Sequence, residues 1–346
     1  MTANASWRHA LAETRAQVEA LGREMRRHGA RGRSMATPNA FQRAFDARST
    51  RAPDFALDVK VSVIYCLAFF ALNWFVRACV VEPVARRLMG FNATASASTA
   101  RARRARVQKF AQSALEMVFY GAFTVVGAAL VPQQPWFWPS EEWWRGTPTK
   151  TLATSAALRC YYLAYGARYV AAMANVLMEH KRKDFWEMQL HHVATILVIV
   201  SSYSTGWTRV GAVIMLVLDP ADVPLHAAKC AKYVGDARGN KRYQVAADVL
   251  FGIFMLTFFV MRLVMYPYVV WSAGFEARRF FTPNAAYYFC VALLCVLLFL
   301  QVYWFGLIVK VAHRVVVAGA AEDVRSDDDE SDDDDDADAD AKKKTK

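Results

Sequence analysis

Apolar residues arrive along this chain in long blocks divided by short charged ones. Crossing a bilayer's hydrocarbon core of about 30 Å takes about 20 helical residues, and seven blocks approach that length. The first, about 59 to 82 (VKVSVIYCLAFFALNWFVRACVVE), and the second, about 111 to 131, are evenly apolar. The third runs from about 151 to 178. The fourth, about 189 to 205, and the fifth, about 209 to 228, are short and enclose His191, His192, Asp219 and Asp222. The sixth, about 248 to 271, and the seventh, about 286 to 309, are strongly apolar and rich in Phe, Leu and Val. The pattern predicts an all-α integral membrane protein with about seven transmembrane helices. No internal repeat is evident, which argues against a secondary transporter built on inverted halves.

Charge orients these spans. Lys and Arg number seven in 83 to 109, two in 132 to 150, three in 179 to 188, one around 204 to 209, five in 226 to 247 and two in 273 to 284. By the positive-inside rule the first, third and fifth connections are cytosolic, as is the C-terminus, and the N-terminus is lumenal. The Arg-rich residues 1 to 57, with an amphipathic stretch from Trp7 to Arg27, pull the other way. The alternation of six short loops outweighs one long segment. On this topology the sequon at Asn4 can be used and the one at Asn92 cannot. The N-terminus has no short apolar core followed by a small-residue cleavage site, so a cleaved leader is not expected.

Composition adds three points. The net charge is +11, but residues 322 to 346 hold 13 acidic and 5 basic side chains, a local −8 that leaves +19 on the rest. Since that excess flanks apolar spans, it reads as membrane orientation and headgroup contact rather than nucleic-acid binding. The six cysteines, Cys66, Cys79, Cys160, Cys230, Cys290 and Cys295, show neither a disulfide framework nor paired metal spacing.

Ionisable residues inside a span are costly and mark function by default. His191 and His192 are adjacent, so on a helix they point about 100° apart; one can react while the other orients. Asp219 and Asp222, three apart, share a helix face, where they can hold an imidazole or an ammonium group. Pro220 and Pro224 remove helix hydrogen bonds beside them and loosen the backbone there. Two adjacent histidines do not readily chelate one ion, so no metal is expected. His226 reads as an interior hydrogen-bonding residue.

The stretch 179 to 233 resembles the signature of ceramide synthases. The matching positions are Lys181-Arg182-Lys183-Asp184-Phe185, Glu187-Met188, His191-His192, Thr195, Ser202-Tyr203, Arg209, Gly211, Asp219, Asp222, Ala228 and Lys229. Lys109-Phe110, Ser113, Tyr120 and the Pro135-Trp136-Phe137 run ending near Trp144 extend the likeness. Departures are Leu218 where the family usually has His, Ala221 for Ser, His226 for Glu and Gly206 for Asn. They bear on hydrogen bonding around the site, hence rate or substrate preference. The homeobox-like insertion of many animal members is also missing.

The resemblance implies a TLC domain over 105 to 315, six of its helices forming a barrel. Before it come a basic segment, 1 to 58, and a first transmembrane helix with its basic loop, 59 to 104; an acidic cytosolic tail, 316 to 346, follows. The implied reaction transfers a fatty acyl group from acyl-CoA to the amine of a sphingoid base, with no cofactor beyond that co-substrate. His191 either attacks the thioester to form an acyl-imidazole or acts as general base for the amine, with His192 as partner. Asp219 and Asp222 orient an imidazole and bind the amine. Lys181, Arg182 and Lys183 face the coenzyme A phosphates, and Tyr203 and Arg209 join the substrate site. The alternative is a TLC-domain relative without the reaction, binding lipid or serving the translocon. Further expectations are an endoplasmic-reticulum membrane location, with Lys343 and Lys344 placed as a dilysine retrieval signal. Acidophilic kinases at Ser326 and Ser331, membrane lipids and a homo- or hetero-dimer are the expected partners.

Overall fold

The computed structural model describes residues 50–51, 53–91, 97–147, 153–178 and 185–318. The N-terminal segment, both sequons, Lys181, Arg182, Lys183, and the tail with Ser326, Ser331, Lys343 and Lys344 lie outside the described residues.

Each predicted apolar block is a helical rod. α1 covers Phe55–Met89, α2 Ala97–Leu130, α3 Ala156–Met178 and α4 Phe185–Thr205. The fifth block is broken into α5, Thr208–Leu218, and α6, Asp222–Arg238, by a tight turn at Asp219–Ala221. α7 covers Lys241–Arg279 and α8 Ala285–Ala318. A two-residue antiparallel pair, Thr50–Arg51 with Thr154–Ser155, precedes α3. Among the described residues, five rods are long and apolar enough to cross a membrane: α1, most of α2, α5 with α6, α7, and most of α8. α3 and α4 have 23 and 21 residues, but arginines and tyrosines dilute the apolarity of one, and histidines, serines and threonines that of the other. Of the seven expected spans, length and apolarity thus support five among the described residues.

Local sequence sets the breaks. Pro83 and Pro267 lack an N–H for the preceding turn, and just before them the helix widens into π-type turns at Arg77–Val81 and Phe259–Met265. Gly239, at φ 62°, ends α6, and the Asn240 side chain accepts the Arg242 N–H at 3.0 Å to start α7.

α1 packs on α3, α4 packs on α3 and α8, and α6 packs on α2 and α7. Between Phe55 and Val76 the one buried side chain is Asp58, while Leu67 is 63% and Trp74 74% exposed, as befits a lipid-facing rod. Asp58 is paired with Arg159 on α3 and accepts the Tyr203 hydroxyl of α4 at 2.6 Å, tying α1 to the bundle. At that end the loop 131–147 is pinned down: Trp144 Nε1 donates to Ser272 Oγ at 2.8 Å, and Ser140 and Tyr268 hydroxyls meet at 2.7 Å. At the opposite end, where Arg and Lys gather, Ala85, Met89, Val107, Phe110 and Val234 form a small core of α1, α2 and α6.

Candidate active site

A cavity of about 220 Å³ lies inside the bundle and is lined from α2 through α8; α1 contributes nothing to it. α5 and α6 being one broken rod, six rods surround it. Its polar wall comprises Tyr120, Tyr169, His191, His192, Asp222, His226, Lys229, Lys232, Arg262, Gln301 and Trp304, and its apolar wall comes largely from Phe251, Phe254 and Phe258 of α7 with Leu307, Ile308 and Val311 of α8.

α4 brings both histidines to this wall. Their ring centres are 5.7 Å apart and their planes stand at 87°, while the two helical positions themselves point about 100° apart. His192 Nδ1 lies 2.7 Å from the Met188 carbonyl. A carbonyl only accepts, so Nδ1 carries the proton and Nε2 keeps the lone pair. His191 is held differently: its ring sits edge-on to Trp304 at 5.2 Å, and its buried Nδ1 has no hydrogen-bond partner. Trp304 Nε1 and Gln301 Nε2 are likewise buried without partners. Three such atoms beside one cavity mark a place where hydrogen bonding is left for something else to complete.

The carboxylates take separate partners. Asp219, 2% exposed, accepts the Tyr165 hydroxyl of α3 at 2.7 Å. Asp222 lines the cavity and is ion-paired with Arg262 of α7. Neither is hydrogen-bonded to His191 or His192, so the expected orientation of an imidazole by an aspartate is not made in this arrangement. Arg262 also donates to the Leu218 carbonyl, at 2.8 and 3.2 Å, and to Gln301 Oε1 at 3.2 Å. The Asp222 N–H bonds Asp219 O instead of continuing the α-helical pattern; that leaves the Leu218 carbonyl for the guanidinium.

A second buried pair, Arg168 with Glu116, joins α3 to α2, and the Arg168 guanidinium lies 4.3 Å over the Tyr120 ring. Tyr120 stacks on His226 at 5.6 Å. Sequence reasoning missed Arg262, Arg168 and Glu116. The signal was present, because each is an ionisable residue inside a predicted span.

Two expected substrate-site residues lie elsewhere. Tyr203 bonds Asp58 at the far end of α4, and Arg209 donates to the carbonyls of Glu142 and Arg145 at 2.7 and 3.3 Å, holding the 131–147 loop. Neither lines the histidine cavity. Lys181, Arg182 and Lys183 lie outside the described residues.

Comparison with known proteins places these features in company. Residues 109–310 match the TLC domain family described as TRAM_LAG1_CLN8. Ceramide synthase 4 of Bos taurus is 34% identical over 222 residues, 64% of this chain and 54% of that protein. Ceramide synthase 5 of Homo sapiens is 35% identical over 221 residues, 63% and 54% respectively. ASC1-like protein 3 of Oryza sativa subsp. japonica is 27% identical over 290 residues, 81% of this chain and 98% of that protein. The match thus spans about half the length of the animal relatives and nearly all of the rice one.

Proposed function

The chain belongs to the TLC-domain family, within its ceramide synthase branch, and from that premise we propose that it is a ceramide synthase, transferring a fatty acyl group from acyl-CoA to the amine of a sphingoid base. The relatives named ceramide synthase support a sphingolipid N-acyltransferase at family level. The observation that carries the reading is the adjacent His191–His192 pair on the wall of a cavity set among apolar helices, with Asp222 on the same lining.

The chemistry needs a carbonyl made open to attack, a proton acceptor for the ammonium and room for hydrocarbon. A neutral His191 attacks the thioester carbonyl, forming a C–N bond as the C–S bond breaks and coenzyme A leaves as the thiolate; the sphingoid amine then displaces the imidazole. The alternative route uses the same lone pair as general base for direct amine attack. His192 stands beside it with Nε2 free to accept a proton. Arg168 pairs with Glu116 and Arg262 with Asp222, which leaves Asp219 as the one carboxyl of the three outside an ion pair, a place that suits a single ammonium. Among the described residues Asp219 has no ion pair, and it is the proposed counter-charge and proton acceptor for the amine.

In the same proposal Lys181, Arg182 and Lys183 meet the coenzyme A phosphates. The protein resides in the endoplasmic-reticulum membrane with a cytosolic C-terminus, retrieved through Lys343 and Lys344. Ser326 and Ser331 are phosphorylated by acidophilic kinases. The test is incorporation of labelled acyl-CoA into ceramide by purified protein in liposomes, wild type beside His191→Ala and Asp219→Ala. Ceramide from the wild type alone, with all three folded, supports the proposal. A folded wild type inert across chain lengths and bases overturns it in favour of a lipid-binding relative.

A further inference from the structure

On α6, Asp222, Leu225, His226, Lys229 and Lys232 recur every three or four residues and all line the cavity. They form one helical stripe. From Asp222 to Lys232 it runs ten residues, about 15 Å at 1.5 Å per residue. Met188, four residues before His192, and Leu225 pack on the same apolar cluster. The histidines therefore lie near the Asp222–Leu225 level, and the two lysines lie one and two turns nearer the basic end.

Two cations at that end hold the scaffold together. Arg238 donates to the carbonyls of Leu88 and Arg87, and Arg86 pairs with Glu82. Lys232 is different: it is half-buried and lines the cavity, yet has no hydrogen bond or ion pair among the described residues. A basic residue kept only for membrane orientation has no reason to face an internal cavity.

We propose that Lys229 and Lys232 form a phosphate subsite at the basic end of the histidine cavity, holding the phosphates of coenzyme A while the thioester lies against His191. The inference rests on the acyl-transfer reading and deepens it. Coenzyme A separates its phosphates from its sulfur by the extended pantetheine arm. An anion site for it must therefore stand displaced along the cavity from the reacting carbonyl, as these lysines do. Two ammonium groups a helical turn apart match a diphosphate, each as a point charge with three donors.

The test measures binding of free coenzyme A and of pantetheine, its phosphate-free fragment, to the purified full chain in nanodiscs by calorimetry, with ceramide formation assayed in parallel. Wild type should bind coenzyme A more tightly than pantetheine. Lys229→Gln with Lys232→Gln should lower coenzyme A affinity about tenfold or more, the loss of charge-assisted contacts, and leave pantetheine unchanged. Lys229→Arg with Lys232→Arg should keep coenzyme A binding. Coenzyme A affinity unchanged in the folded Gln pair, or equally lost in the Arg pair, overturns the subsite. Failure of wild type to bind coenzyme A overturns both the subsite and the acyl-transfer reading. Lysine-dependent coenzyme A binding without ceramide formation leaves the subsite standing and sinks the reaction.

Discussion

Arg262 should be the residue whose loss the buried network tolerates least. Its guanidinium is paired with Asp222, donates twice to the Leu218 carbonyl and once to Gln301, and lies 4.9 Å from the Phe258 ring centre. The pair is nearly dry, with side-chain exposures of 9% and 13%. Arg262→Met keeps most of the volume and removes every donor. It leaves Asp222 as an uncompensated buried charge, which costs about 3–5 kcal/mol. The orphaned Leu218 carbonyl adds about 1–3 kcal/mol, although protonation of Asp222 relieves part of the total. Asp222→Asn in the same chain removes the charge and retains the shape, so the double variant should lose less than the sum of the two singles by roughly 2 kcal/mol, a coupling of the size double-mutant cycles report for groups in contact. The assay is equilibrium unfolding of wild type, both single variants and the double variant in one detergent. A cost below about 1 kcal/mol for Arg262→Met, or a double variant whose loss equals the sum of the singles, refutes the pairing and the burial argument with it.

Two further outcomes test the scaffold around the site. A Cβ on Gly211 would collide with the Tyr162 hydroxyl, which bonds Ser202 at 2.5 Å; Gly211→Ala should therefore cost about 1–3 kcal/mol by overpacking, and Tyr162→Phe in the same chain should recover part of it in a thermal melt. Arg209 holds loop carbonyls at the end of the bundle away from the histidines, so Arg209→Ala should lower the melting temperature while the KM values for acyl-CoA and sphingoid base stay within about twofold, less than the tenfold that a lost contact of about 1.4 kcal/mol brings. A selective rise in either KM would return Arg209 to the substrate site.

Much of the framework was legible because membrane burial writes itself as long apolar blocks, and each of the seven became a helical rod. The His and Asp positions were legible for the complementary reason: a polar group inside such a block needs a partner or a purpose. Two kinds of information were not. The family resemblance put Tyr203 in the substrate site, yet twelve residues of helix separate it from His191 by about 18 Å, enough to carry it to the other end of the bundle and onto Asp58. Partner choice was invisible altogether. Asp222 pairs with Arg262 forty positions away, Glu116 with Arg168 at fifty-two and Asp58 with Arg159 at a hundred and one, and no local pattern encodes such distances.

Those partners change what the aspartates can do. Read as a pair on one face, Asp219 and Asp222 look equivalent, two carboxylates free to hold an imidazole. Arg262 makes them unlike. It neutralises Asp222 and anchors the turn between α5 and α6 through Leu218, while Asp219 is left with only the Tyr165 hydroxyl. A carboxylate without a counter-ion, buried to 2% exposure, is unfavourable as an anion unless a cation comes to it or it takes a proton. A protonated sphingoid amine offers both, since it brings the charge on binding and must shed a proton before it can attack. On the proposed reaction the two would divide the work: Asp219 would meet the amine, while Asp222, held by Arg262, keeps the turn in place.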